Sequence, residues 1–313
     1  TGTWESSNKM LNQLQHNIIW GQKGNFVDVP TDCPQRDERL GWTGDAQVFA
    51  PTACFNMNAA SFYTKWLQDL AADQKEDGKV PHVIPAVFDD GGATGWADAS
   101  VTIPWTVYMD YADSHILRVQ YPAMKKWIGY MVNRAGDDHI WQEDWHFGDW
   151  LSFDDNTPAY MGAYTSTDLI ATAYFARSTE IMQHVAGILG YQDDMKYFSD
   201  LHARIKKAFQ DEFITPNGRL VAHTQTAYTL ALAFHLIDSA RISRAAEYLA
   251  RDVKNFGHIT TGFLGTPLIC QVLTDHGYLG LAYQLLTRKE YPSWLYPVTL
   301  GATTIWERWD GMR

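Results

Sequence analysis

The chain has 313 residues, with 36 Asp and Glu against 25 Lys and Arg, a formal charge of −11. This acidic balance, without any basic block, excludes a nucleic-acid or anionic-membrane partner, because either needs clustered cations against phosphate. No apolar run reaches the ~20 residues of a membrane span, and the 13 Trp serve either a large core or stacking on sugar C–H faces. The N-terminal TGTWESSNKM is neither a signal peptide nor a normal translation start, so the chain reads as an excerpt. The first predicted helix lies near Trp4–Trp20. A second runs from Ala46 to Ala72, where Phe49, Ala53, Phe55, Ala59, Phe62, Trp66 and Leu70 recur at three- and four-residue steps. Further helices are predicted near 99–113, 116–134, 162–189, 193–212, 223–238, 241–255, 265–275 and 278–288, and an eleventh opens near Gly301. Strand signals are confined to Val80–Val87 and Arg219–Val221, too little for a principal sheet. With no linker or low-complexity stretch, a single domain is expected over 1–313. The class is mainly α, and serial helical hairpins without a fixed repeat favour a closed toroid over a solenoid.

Four polar-aromatic segments interrupt this helical pattern. Residues 24–46 are loop-like by their Gly and Pro, yet hold Asp28, Asp32, Asp37, Glu38 and Asp45 beside Arg36, Arg39 and Trp42. Crowding carboxylates together is one way a carboxyl group is kept protonated to act as an acid. The two arginines oppose that effect, and a solvated loop with local ion pairs and Asp45 as a helix cap accounts for the same residues. Trp141–Leu151, with Asp149 and Trp150, alternates rings and acids as a sugar subsite does, and Gly95-Trp96-Ala97-Asp98 repeats the pairing in miniature. Packing plus a cap is the plain alternative for each. In Gly301–Gly311, Glu307 stands between Trp306 and Trp309 at the start of the expected last helix, where the indoles would desolvate it while Arg308 and the helix N-terminus would favour its charged form; a Glu that only stabilises the helix dipole is the plain alternative.

Other chemistries lack support. There is no GxSxG elbow, phosphate loop or dinucleotide fingerprint. Cys33, Cys54 and Cys270 match neither a disulfide framework nor a zinc spacing and are read as structural. His139 and His146 lie near acids and His82 beside Val83 and Ile84, but isolated histidines of this kind are read as hydrogen-bonding residues. No catalytic metal and no cofactor are expected. A periplasmic or secreted location is favoured over the cytoplasm, and oligomeric state is left open.

The run Asp32-Cys-Pro-Gln-Arg-Asp-Glu-Arg-Leu-Gly-Trp-Thr-Gly-Asp45 closely resembles the signature of bacterial and fungal α-L-rhamnosidases. Gly95–Ala99, Gly148–Leu151, Thr226–Tyr228, His258–Gly265 and Tyr291–Gly311 look like further stretches of that family, in the same order, so the resemblance spans nearly the whole chain. It implies an (α/α)6 barrel, cut one helix short in this chain, whose parent carries flanking β-sandwich domains. It also implies hydrolysis of terminal α-L-rhamnosyl groups with inversion. Carried over by motif, Glu38 is the general acid and Glu307 the general base; inversion needs two carboxyls about 6.5–9.5 Å apart. The resemblance further implies that Asp32 and Asp45 hold rhamnose hydroxyls, and that Arg36, Trp42, Trp96, Asp98, Asp149, Trp150 and Trp294 line the subsite. The implied partner is a small-molecule or oligosaccharide substrate with terminal L-rhamnose. An (α/α)6 glycosidase acting on another hexoside, or a non-catalytic sugar-binding domain, are the alternatives.

Overall fold

The computed structural model describes residues 2–153 and 165–311. They form twelve α-helices and one 3-10 turn, with β-structure reduced to a two-strand hairpin. The chain folds as two compact units, each built by itself below.

The first unit comprises Asn25–Gly148 and Thr167–Glu212. It opens with the hairpin β1 (Phe26–Val27) and β2 (Val29–Pro30), turned at Asp28, followed by α2 (Thr43–Asn56), α3 (Ala60–Asp73), α4 (Ala99–Tyr111), α5 (Ser114–Ala135), α6 (Thr167–Leu189) and nearly all of α7 (Gln192–Phe213). α4 packs against α2, α3, α5 and α6. α6 is buried on every side from Leu169 to Ala176, as an enclosed helix must be. α7 instead buries one stripe, Phe198, Leu201, Ile205 and Phe209, at three- and four-residue steps. Trp66, Trp127 and Trp141 are among the largest fully buried side chains, so part of the tryptophan excess is core.

The second unit comprises Gly2–Gly24, Asp149–Ser166 and Phe213–Arg313. α1 (Lys9–Asn25) starts where the Asn8 side chain accepts the Met10 N–H at 2.9 Å, five residues later than the periodicity suggests. Its Leu11 and Leu14 pack with Leu295, Trp294 and Val298. α8 (Gln225–Ala233), α9 (Ile242–Phe256), α10 (Thr266–Asp275) and α11 (Leu279–Thr287) pack pairwise, and α12 (Tyr296–Thr299) is a single turn. Ala245, Leu249 and Val253 form the buried stripe of α9, which Gly257 ends in the left-handed conformation.

Three expectations are corrected. The helix expected over Ala46–Ala72 is two helices, because the chain becomes extended at Met57. The Tyr111 hydroxyl lies 3.0 Å from the Met57 carbonyl and accepts the Ala59 N–H at 3.0 Å, so a side chain of α4 satisfies the backbone at the break. No helix opens at Gly301; its φ of 82° instead terminates α12, and 301–311 is a run of turns. The two strand signals reduce to isolated bridges, Trp42 to Val83 and Ile214 to Leu220. The start expected for the helix near 162 lies outside the described residues. No helix among the described residues is long and apolar enough to cross a membrane.

Candidate active site

In the first unit the loop between β2 and α2 is closed on itself. The Asp32 N–H donates to the Leu40 carbonyl at 3.0 Å, and the Asp32 carboxylate accepts the Leu40 N–H at 2.8 Å. Asp32 is thus largely buried as a brace of the loop, with its second oxygen 4.0 Å from Arg36. Glu38, one-third exposed, is held at both oxygens: Oε2 accepts from Arg36 Nε at 3.1 Å and Nη2 at 2.6 Å, and Oε1 accepts from Trp42 Nε1 at 3.0 Å. Trp42 is itself anchored, because the Gly41 carbonyl accepts the Ile84 N–H and the Thr43 N–H donates to His82 O, both at 2.9 Å. Arg36 and Trp42, the latter anchored through its neighbours Gly41 and Thr43, therefore fix the plane of one carboxyl group, which is what a directed proton donor requires. Asp45 lies half-buried in the first turn of α2, three positions past the N-cap Trp42 rather than at the cap expected of it.

Trp96 is brought to this loop by packing. It is almost wholly buried, stacks on Phe147 at 4.4 Å between ring centroids, and covers Gly44, where an added Cβ would lie 2.5 Å from the indole. Phe147 also meets Trp42 edge-on at 5.8 Å, and His82 and Trp145 at 4.9 and 4.6 Å. Phe147 and His82 are thus central to the site, although the sequence marks Phe147 only as a member of the Trp141–Leu151 run and His82 only as a hydrogen-bonding residue.

The loop leading to Trp96 is pegged by three successive amides. Ala93 N–H donates to His82 Nε2 at 3.2 Å, Thr94 N–H to His146 Nδ1 at 3.1 Å, and Gly95 N–H to Asp98 Oδ2 at 2.8 Å. Because Nδ1 of His146 accepts, the ring is neutral with its proton on Nε2, a buried atom without a partner among the described residues. Burial and the charges of His82 and Arg134 outweigh Asp144 and push the His146 ring down to about 4. Asp98 is fully buried. It accepts further bonds from Thr94 Oγ1 at 3.3 Å, Trp127 Nε1 at 3.0 Å and Ser178 Oγ at 2.7 Å. Desolvation raises its carboxyl above the usual range, and those donors partly offset the rise.

In the second unit Asp149 has a parallel place. It is fully buried and accepts from the Gly262, Leu264 and Gly265 N–H groups at 2.7, 2.8 and 3.3 Å and from Thr226 Oγ1. Burial raises its carboxyl too, against the same kind of offset. The structure therefore places Asp98 and Asp149 in the interior, with all four near donors supplied by protein, rather than facing a ligand. Trp150, half-buried beside Asp149, accepts the Phe263 N–H at its carbonyl at 2.9 Å. Trp294 is half-buried against the Leu11, Leu14 and Leu295 cluster and meets Trp309 edge-on at 5.8 Å, so its observed contacts are those of packing. Glu307 is exposed, not desolvated between indoles: Trp306 covers Gly311, and Arg308 forks onto Asp310 at 3.1 and 3.3 Å.

Burial pushes the Cys54 and Cys270 thiols up to about 11, in keeping with structural roles. Asp32, Cys33 and Glu38 place ligand atoms within 4.8 Å of one another, the one such group among the described residues, but the Arg36 guanidinium already occupies Glu38.

A family model described as bacterial alpha-L-rhamnosidase 6 hairpin glycosidase domain matches residues 1–313. An alpha-L-rhamnosidase of Streptomyces avermitilis is 44% identical over 316 residues, covering 100% of this chain and 29% of that protein. The crystal structure of Streptomyces avermitilis alpha-L-rhamnosidase complexed with L-rhamnose superposes with a TM-score of 0.92 at 45% identity, over 99% of this chain and 29% of that one. Native alpha-L-rhamnosidase from Aspergillus terreus gives 0.95 at 37%, over 100% and 37%. The chain spans about a third of the length of these relatives. The mainly helical, six-hairpin (α/α)6 class is the one expected of the motifs, and the chain belongs to the family of bacterial α-L-rhamnosidase six-hairpin glycosidase domains.

Proposed function

We propose that the protein is an inverting α-L-rhamnosidase that releases terminal L-rhamnose. The observation that carries this reading is the Glu38 carboxyl, oriented by Arg36 and Trp42 inside a loop of the family's signature. Glu38 acts as general acid: it protonates the glycosidic oxygen as the bond to the anomeric carbon breaks, and the Arg36 contact on Oε2 gives way when that oxygen carries the proton. Glu307, exposed and open to water, acts as general base and takes a proton from the water that attacks the opposite face. Asp32, Arg36, Trp42, Asp45, Trp96 and Trp150 shape the rhamnose subsite. Asp98 and Asp149 serve it indirectly, by fixing the loops that carry Trp96 and Trp150. The mixed lining of rings and acids suits a 6-deoxy sugar, whose methyl group needs an apolar wall and whose hydroxyls need acceptors.

The test is hydrolysis of an aryl α-L-rhamnoside followed by proton NMR. First-formed β-L-rhamnose is expected, and loss of turnover in Glu38→Gln with rhamnose binding kept. First-formed α-anomer would overturn inversion, and an active Glu38→Gln variant the acid assignment. Azide rescue of Glu307→Ala, giving a β-rhamnosyl azide, marks the base.

A further inference from the structure

The unit that carries Glu38 also holds a cavity of about 280 Å³, lined by Lys79, His82, Asp90, Gly91, Gly92 and Tyr130 together with Asp144 and Trp145 of the ring-and-acid run. Its volume is just under the ~300 Å³ lower end of ligand pockets, room for one sugar ring rather than several. We propose that this cavity is a subsite for a neutral sugar of the leaving group, stacked on Trp145 and hydrogen-bonded by Asp90 and Lys79. The assignment rests on the rhamnosidase reading above, because the leaving group lies beyond the oxygen that Glu38 protonates.

Three observations carry it. The first is the ring. Trp145 is 67% exposed, and the rings that meet it, Phe147 and His82, do so at 71° and 45° rather than flat against it. An indole left this open is costly in water and suited to the C–H face of a pyranose. The second is the mixed sign of the lining. Asp90 and Asp144 accept while Lys79 and Tyr130 can donate, so an anion meets two carboxylates and a cation meets an ammonium. Sugar hydroxyls, which both donate and accept, match such a lining. The third is preorganisation. His82, almost wholly buried, is fixed at Nε2 by the Ala93 N–H and lies 3.4 Å from Asp90 at Nδ1. Asp144 is fixed by Arg134 and by Trp141 Nε1 at 2.6 Å. Gly92 donates its N–H to the Val80 carbonyl at 2.9 Å and has no room for a side chain, since a Cβ would lie 2.7 Å from the Tyr130 hydroxyl. The walls thus keep their shape without a ligand, which lowers the entropic cost of binding one.

The position fits the role. Trp42, whose indole N–H holds Glu38, touches Phe147, and Phe147 touches Trp145, so the cavity wall is two ring contacts from the acid. Glu38 and the cavity lie in the same unit, and these ring contacts join the indole that holds the acid to the cavity wall.

The experiment compares two substrates in wild type, Trp145→Ala and Asp90→Asn: rhamnosyl-α-1,6-glucose, whose glucose would fill the cavity, and α-L-rhamnosyl fluoride, whose leaving group is one atom. The ratio of kcat/KM for the disaccharide over the fluoride is expected to fall about tenfold in Trp145→Ala and severalfold in Asp90→Asn, through KM. An unchanged ratio overturns the subsite. Saturation-transfer NMR with methyl β-D-glucopyranoside supplies an arm independent of turnover. Transfer to the glucoside is expected in wild type and lost in Trp145→Ala, and equal transfer in both overturns the proposal. If wild type cleaves neither rhamnosyl substrate while Trp145-dependent glucoside binding remains, the rhamnosidase reading fails and the subsite stands as a sugar site.

Discussion

Asp98 and Asp149 invite comparison, one in each unit. Both follow or precede a tryptophan closely, and both take two donors on each carboxylate oxygen. They differ in where the donors come from. Asp98 takes three of four from side chains, Thr94, Trp127 and Ser178, and so ties the Trp96 loop to α5 and α6. Asp149 takes three of four from the main chain at 262–265, and so fixes the course of the loop that enters α10. Side-chain donors can rotate or be replaced singly, whereas main-chain N–H groups remain whatever the sequence does. A carboxylate on main-chain donors is therefore the harder of the two to replace.

The sharpest way to break this comparison is Asp149→Ala, which strands three buried N–H groups. It is expected to destabilise the protein by about 4 kcal/mol, read from the denaturant midpoint. A cost no larger than that of Asp98→Ala would refute the distinction between donor types.

An acid scan tests the second peg of the Trp96 loop, the Thr94 N–H on His146. The folded-state pKa of His146 lies below that of the unfolded chain, about 4 against 6.5. Its contribution is therefore present above about pH 6.5 and lost as pH falls toward 4. That limb is worth roughly 3 kcal/mol. The raised carboxyls of Asp98 and Asp149 act in the opposite sense: their contribution is complete below the usual carboxylate range and declines as pH rises through their folded-state values. The limb is therefore isolated by subtracting the profile of His146→Asn, whose side-chain oxygen can still accept the Thr94 N–H. Parallel profiles for the two proteins would remove His146 from the account.

Smaller effects sharpen the picture. Asp98→Asn keeps one acceptor oxygen and meets donors that can turn away, so about 2 kcal/mol is expected, less than for Asp149→Asn. Ser178→Ala removes one donor of four from Asp98 and should cost about 1 kcal/mol by the same measurement. A Ser178→Ala loss equal to that of Asp98→Asn would mean that Asp98 acts through Ser178 alone.

Much of the helical layout was legible, because burial stripes such as Phe198, Leu201, Ile205 and Phe209 are written in the local period. The break at Met57–Ala59 was not, since the group that satisfies its backbone is Tyr111, more than fifty residues away. Gly301 carried a signal open to two senses: the same glycine can precede a helix or end one, and the left-handed backbone shows that it ends one. In the candidate site, the motif from Asp32 to Asp45 named the loop that orients Glu38. It did not reveal Phe147, which joins Trp42 to Trp96 by packing across segments distant in sequence.

The amino-acid sequence by itself determined the helical class, the family and the acidic loop around Glu38, because periodicity, composition and a long contiguous motif are local properties. Only the tertiary structure decided which acids beside tryptophans are open to a ligand. Asp98, Asp149 and Glu307 look alike as residues next to rings, yet two are sealed in the interior and one is exposed. Burial depends on what packs over a residue from elsewhere in the chain, and that is not written in its neighbours.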